Sequence, residues 1–145
     1  MAEVSRSALL MYSADEMYQL VNDVKSYPEF LPGCVDAKIL NHIDDVMSAS
    51  VVVSKAGIKQ EFTTENKLLD GRSIAMNLVD GPFKHLSGGW KFLPLDDQAC
   101  KVSLDLQFEF SSKLVEVAFG RIFNELVGSM VKSFSERAKI IYGLR

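Results

Sequence analysis

The chain has 145 residues, 48% of them apolar and 24% charged, and a net charge of −3. That length suits one domain over residues 1–145, able to bury about 68–70% of its unfolded surface, and leaves too little for two. It also excludes a disulfide-dependent secreted scaffold: Cys34 and Cys100 are the only cysteines, lie far apart, lack CxxC spacing and read as reduced thiols in a cytosol.

Residues 4–11 read as a first strand with imperfect alternation. The apolar run at 8–12 is too short for the core of a signal peptide. No stretch approaches the ~18–20 apolar residues that span a bilayer, so the expectation is a soluble cytoplasmic protein without a transmembrane segment. Ser13-Ala14-Asp15-Glu16 is a capping box that opens a helix. Met17, Leu20, Val21 and Val24 then recur at three- and four-residue intervals, the spacing of one buried stripe. Pro28 disfavours helical geometry in the residue before it, which predicts an end near residues 25–27. Residues 27–33 are then a turn or short second helix bearing Tyr27, Phe30 and Leu31.

From 35 to 110 the period changes to two. Lys59, Glu61, Thr63, Glu65 and Lys67 alternate with Ile58, Gln60, Phe62, Thr64, Asn66 and Leu68, which is a strand with one wet face. Residues 100–110 alternate more cleanly still, with Cys100, Val102, Leu104, Leu106, Phe108 and Phe110 on the buried side. Ile74, Met76 and Leu78 mark another strand. Leu86, Trp90 and Phe92 mark a further one, interrupted by Gly88-Gly89 at a predicted bulge or sharp bend. Turn signals at 44–45, 56–57, 70–71, 80–82 and 94–97 separate the strands by short connections, which predicts an antiparallel meander.

Residues 112–142 read as one helix. Leu114, Val117, Ala118, Phe119, Ile122, Phe123, Leu126, Val127, Met130, Val131 and Phe134 cover more than the ~100° stripe of a surface helix. Such a helix needs cover on several sides, and a curved sheet folded around it supplies that cover. Gly120 and Gly128 cost helix propensity and suggest close approach of a strand or ligand.

Catalytic and metal signatures are absent from the sequence. His42 and His85 sit in no ligand spacing, and there is no nucleophile elbow, Walker loop or GxGxxG. The polar trio Gln60, Thr64 and Asn66 stands out on an otherwise apolar strand face. Two explanations remain open: a cavity on the concave face in which polar groups orient an apolar ligand, or a strand end at the sheet edge where they meet water. Charge is asymmetric: residues 1–111 carry 10 Lys/Arg against 16 Asp/Glu, and residues 112–145 carry 6 against 3. The basic tail either complements the helix dipole or faces an anionic partner.

Three segments in order carry a resemblance over nearly the whole chain: Tyr27-Pro28-Glu29-Phe30-Leu31-Pro32-Gly33-Cys34; Gly81-Pro82-Phe83-Lys84-His85-Leu86 with Gly88-Gly89-Trp90-Lys91-Phe92; and Met130-Val131-Lys132-Ser133-Phe134 with Glu136-Arg137-Ala138. They resemble the family of RatA-type ribosome association toxins and coenzyme Q-binding proteins, within the START-like superfamily of polyketide cyclases/dehydrases and lipid transport proteins. The resemblance implies an α+β helix-grip fold: a curved antiparallel sheet of about six or seven strands around a long C-terminal helix, with one or two short helices after the first strand.

It further implies a non-enzymatic protein with an apolar cavity between sheet and helix, for ubiquinone or another polyprenyl lipid, in support of respiration. RatA-type members are implied to bind the large ribosomal subunit and hinder 70S formation, with a small antitoxin protein as a further partner and no DNA. In that frame the cavity wall is expected from Phe30 and Leu31 in the turn, from Phe62, Thr64, Asn66, Met76, Trp90, Phe92 and Phe108 on the strands, and from Phe119, Phe123 and Met130 on the helix. Lys132, Arg137 and Lys139 are the expected ribosome contacts. No metal or cofactor is expected beyond a bound lipid. The alternative is a cyclase/aromatase-like enzyme acting on an apolar substrate, with His85 as its main acid–base candidate.

Overall fold

The alternating segments become the middle of one seven-stranded antiparallel sheet. The computed structural model describes residues 2–145. Its elements are β1 (Ala2–Leu10), α1 (Ala14–Asn22), a 3₁₀ helix (Val24–Glu29), β2 (Cys34–Ile43), β3 (Val46–Lys55), β4 (Ile58–Leu69), β5 (Ser73–Asp80), β6 (Phe83–Asp96), β7 (Ala99–Phe110) and α2 (Lys113–Tyr142). Strand order is β1-β7-β6-β5-β4-β3-β2. β2 to β7 are thus the expected meander, and β1 joins it by pairing with β7. This is the α+β helix-grip architecture anticipated above, with α2 lying in the hollow of the sheet.

Local chemistry explains the elements. The Ser13 hydroxyl accepts from the Glu16 N–H at 3.1 Å and Glu16 Oε1 accepts from the Ser13 N–H at 2.9 Å, so both halves of the capping box form. The stripe Met17, Leu20, Val21 and Val24 is buried. The α-helix ends at Asn22, and the chain tightens into the 3₁₀ helix, which passes through Pro28. Ser112 caps α2 by accepting from the Val115 N–H at 3.2 Å.

Gly88 and Gly89 bend β6 without a bulge: the register with β7 runs on unshifted through Ser87–Gln107, Gly88–Leu106 and Gly89–Asp105. Their φ values are +138° and +159°. A Cβ on Gly88 would lie 2.0 Å from the Asp105 carbonyl oxygen, and one on Gly89 2.2 Å from that of Ile74. The strands on either side approach the bend too closely for any side chain.

Two expectations are corrected. Residues 94–97 are not a turn throughout: β6 continues to Asp96. The Phe92 N–H donates to the Arg72 carbonyl, and β5 pairs with β6 only as far as Lys91, so the Pro94 nitrogen two residues on points the same way past the end of the neighbouring strand. The missing N–H costs no ladder bond there. Secondly, the cover expected for the apolar residues of α2 does not reach its first turns. Its buried stripe starts at Phe119, while Leu114 and Val117 are 78% and 72% exposed. Gly120 and Gly128 do lie under neighbours, the Phe110 ring and the Arg6 guanidinium, each about one van der Waals contact away.

One end of the hollow is filled by an aromatic cluster in which Phe123 meets Phe83 and Phe108 at 4.9 Å and Phe62 at 5.8 Å between ring centroids. At the other end Tyr27, Trp90 and Phe30 pack edge-on against Phe134, at 5.4, 5.3 and 5.0 Å.

Candidate ligand cavity

Between these two aromatic packings the concave face and α2 leave an apolar cavity of about 70 Å³. That is room for about two waters, well below the ~300 Å³ of ordinary small-molecule pockets. α2 contributes Phe123, Leu126, Val127 and Met130 to its wall, the meander contributes Cys34, Ala49, Val51, Phe62, Met76, Leu86, Trp90 and Leu106, the 3₁₀ helix contributes Val24 and Tyr27, and the turn after it contributes Leu31. Thr64 and Asn66 are the polar members of the wall, 8% and 6% exposed. The Thr64 hydroxyl donates to Asn66 Oδ1 at 2.8 Å. Asn66 is the second member of a row that runs Met47, Asn66, Met76, Gly88 and Leu106 across five adjacent strands.

No charge faces the hollow. Burial pushes the Cys34 thiol up to about 11 and drives the Tyr27 phenol well above its ordinary value, so both are neutral at pH 7. The Tyr27 hydroxyl is spent on the Val21 carbonyl, and the Cys34 thiol points to the Asp36 carbonyl at 3.6 Å.

Of the residues read from sequence, Leu31, Phe62, Thr64, Asn66, Met76, Trp90, Phe123 and Met130 line this cavity. Phe30, Phe92, Phe108 and Phe119 do not. Phe30 stacks under Arg137, Phe92 packs edge-on to Tyr18 of α1, and Phe108 and Phe119 belong to the aromatic cluster. Gln60 stands apart from Thr64 and Asn66: it is half-buried, on the part of β4 that outruns β5, which pairs only from Thr63 onward. The two explanations of the trio therefore divide it, with the cavity claiming Thr64 and Asn66 and the strand end claiming Gln60. Ala49 and Val51 were missed because Val51, Val52 and Val53 follow one another and hide the period of two in β3. Tyr27 and Val24 were legible as apolar, but nothing in their spacing aims them at a cavity.

The basic tail is mostly self-paired. Arg137 is 15% exposed in its side chain, bonds Glu29 at 3.1 Å and lies 5.0 Å over the Phe30 ring. Lys113 pairs with Glu116, Arg121 with Glu125, and Arg145 with Glu16. Among the described residues Lys132 and Lys139 are the basic side chains of α2 that remain exposed without a carboxylate partner. His85 is exposed and bonds Ser87 at 3.0 Å, away from the cavity. The described residues hold no cluster fit to ligate a metal, and none of their helices is long and apolar enough to cross a membrane.

The sequence profile of the family described as "Polyketide cyclase / dehydrase and lipid transport" matches residues 10–135. The chain is 62% identical over 143 residues to the ribosome association toxin RatA of Vibrio cholerae, covering 99% of each. It is 31% identical over 145 residues to the mitochondrial coenzyme Q-binding protein COQ10 homolog B of Xenopus laevis, covering 97% of this chain and 59% of that one. Among solved structures, the 18 kDa protein CC1736 of Caulobacter crescentus superposes with a TM-score of 0.75 at 30% identity, covering 99% of this chain and all of that one. The Zhui aromatase/cyclase of Streptomyces, at 20% identity and a TM-score of 0.70 over 98% of this chain and 88% of that one, shares the fold. Helix-grip architecture, profile and full-length similarity agree: the chain belongs to the polyketide cyclase/dehydrase and lipid transport family, among its RatA-type members.

Proposed function

We propose that this protein binds the large ribosomal subunit and hinders formation of the 70S particle, acting by recognition and not by catalysis. The observation that carries the reading is similarity along the whole chain, 62% over 143 residues, to a protein named for ribosome association. The geometry supports a binder: the hollow is largely filled, its wall is uncharged, and the histidines lie outside it. Lys132 and Lys139 on the exposed side of α2 supply cations for ribosomal RNA, and a ribosome partner implies a cytoplasmic location. A small antitoxin protein is the further partner this role suggests, to be sought by co-purification. Sucrose gradients test the main reading. Added protein should raise the free-subunit peaks at the expense of 70S, and unchanged profiles would overturn it.

A second reading, that the cavity accepts an apolar ligand such as ubiquinone or another polyprenyl lipid, is favoured by one observation. Two polar side chains, Thr64 and Asn66, are buried on an otherwise apolar wall beside unfilled space. Each buried CH₂ of such a ligand contributes about 0.8 kcal/mol. Solvent extraction of the purified protein followed by mass spectrometry, with quinone titration alongside, tests it. Absence of both co-purifying lipid and saturable binding would end it.

A further inference from the structure

The two cations left free on α2, Lys132 and Lys139, have a companion from the opposite end of the chain. Arg6 stands opposite the buried Leu104 in the register of β1 with β7, so its side chain leaves the sheet on the helix side. β1 is an edge strand, however, and Arg6 stays exposed. Its head group reaches α2, where a Cβ on Gly128 would stand 3.6 Å from Arg6 Nη2. Arg6 Nη1 donates to the Ser5 carbonyl at 2.9 Å, which steadies the guanidinium along the strand. Among the described residues Arg6 forms no ion pair. A guanidinium carries five N–H donors, so most of its capacity is unspent.

Helix geometry puts these groups in line. At about 100° and 1.5 Å per residue, Gly128, Lys132 and Lys139 lie within about 40° of one another and span about 16.5 Å of the axis. Arg6, lying over Gly128, therefore takes the first place in a row of three unpaired cations. Arg121 lies two turns further back on the same line but is held by Glu125, and Glu125 is also held by Lys55. Glu136 is exposed to one side of the row, about 40° round the helix from Lys132.

We infer that Arg6 is a ribosomal-RNA contact, forming with Lys132 and Lys139 one strip that follows the phosphate backbone across β1 and α2. The inference rests on the ribosome reading above and gives that reading a surface. Cations spaced along an open helix face meet a charged backbone, which positions the protein without reading base edges. Arg6 adds what a lysine lacks, a planar fork that can hold two oxygens of one phosphate. Gly128 is part of the arrangement, because a long side chain there would fill the place of the guanidinium.

The test measures binding of the full chain to purified large ribosomal subunits by filter retention across salt concentrations, with thermal melts alongside. Arg6→Gln should lower the salt slope by about 1 and leave the melting temperature unchanged. Arg6→Gln combined with Gly128→Lys returns a cation to the same place from the helix, and should restore the slope. Slope and affinity of Arg6→Gln equal to those of the unaltered chain would overturn the role of Arg6 and leave the ribosome reading standing. So would weaker binding at an unchanged slope, which marks a contact to ribosomal protein, or a lowered slope that the double variant fails to restore. No binding of the unaltered chain would overturn both.

Discussion

Arg145 grips Glu16 through both carboxylate oxygens, at 2.6 and 2.8 Å, joining the last residue of the chain to the first turn of α1. Beside it the Tyr12 hydroxyl donates to the Gly143 carbonyl at 2.7 Å and the Tyr142 hydroxyl to the Glu16 carbonyl at 2.9 Å. The Arg145 guanidinium, helped by the Ser13 N–H, lowers the Glu16 carboxyl from 4.5 to about 2. A carboxyl depressed on folding stabilises the native state above its unfolded value, and that contribution fades as pH falls through the folded one. Urea midpoints of the unaltered chain and of Arg145→Ala should therefore differ at pH 6 and converge between about pH 4.5 and 2. A gap that persists at pH 2 would show that the pair contributes through packing.

The bend in β6 should tolerate no Cβ. Gly88→Ala or Gly89→Ala should lower stability by about 2–4 kcal/mol, because the clash is with backbone on a neighbouring strand. Gly57→Ala is the control: its φ is +82° but nothing lies within 4 Å of the added atom, so about 1 kcal/mol is expected. Denaturant melts of the three variants separate crowding from backbone strain.

Phe123→Ala should cost about 3–5 kcal/mol, since the ring is 1% exposed and packs against five other aromatic rings. A cost under about 2 kcal/mol would mean that this end of the hollow yields more readily than its packing suggests.

The exposed and the buried cations of α2 should separate cleanly. Lys132→Ala and Lys139→Ala should each reduce the salt slope of ribosome binding by about 1 and leave stability within about 0.5 kcal/mol. Arg137→Ala should instead destabilise the fold by about 1 kcal/mol, through loss of the Phe30 stack and the Glu29 bond, with little change in slope. Filter binding across salt concentrations, paired with melts, checks both.

Strands were legible wherever one face is wet, as at Lys59 to Lys67 and Lys101 to Glu109, because alternation survives into structure there. They were blurred where both faces are covered, as at Val52 and Val53. The apolar stripe of α2 was read as wider than an ordinary surface helix needs, and Leu114 and Val117 fall outside its buried part, since composition counts apolar residues without saying where the sheet ends. The cavity was half legible. Thr64 and Asn66 announced themselves as polar residues out of place, but Phe92, Phe108 and Phe119 could not be told from lining residues, because an aromatic in a packed cluster and one beside a void carry the same sequence signal. Arg137 looked like its neighbours Lys132 and Lys139 because its partner Glu29 lies 108 positions away.

The crease at Gly88-Gly89 sets how tightly the sheet curls, and it does so with atoms that cannot be exchanged for anything larger. Attempts to enlarge or reshape the interior must therefore spare these two positions and work through the side chains of the wall, trimming Met130 or Leu126 on α2, Val51 on β3 or Met76 on β5. The crease is fixed masonry, and the panels hung around it are adjustable.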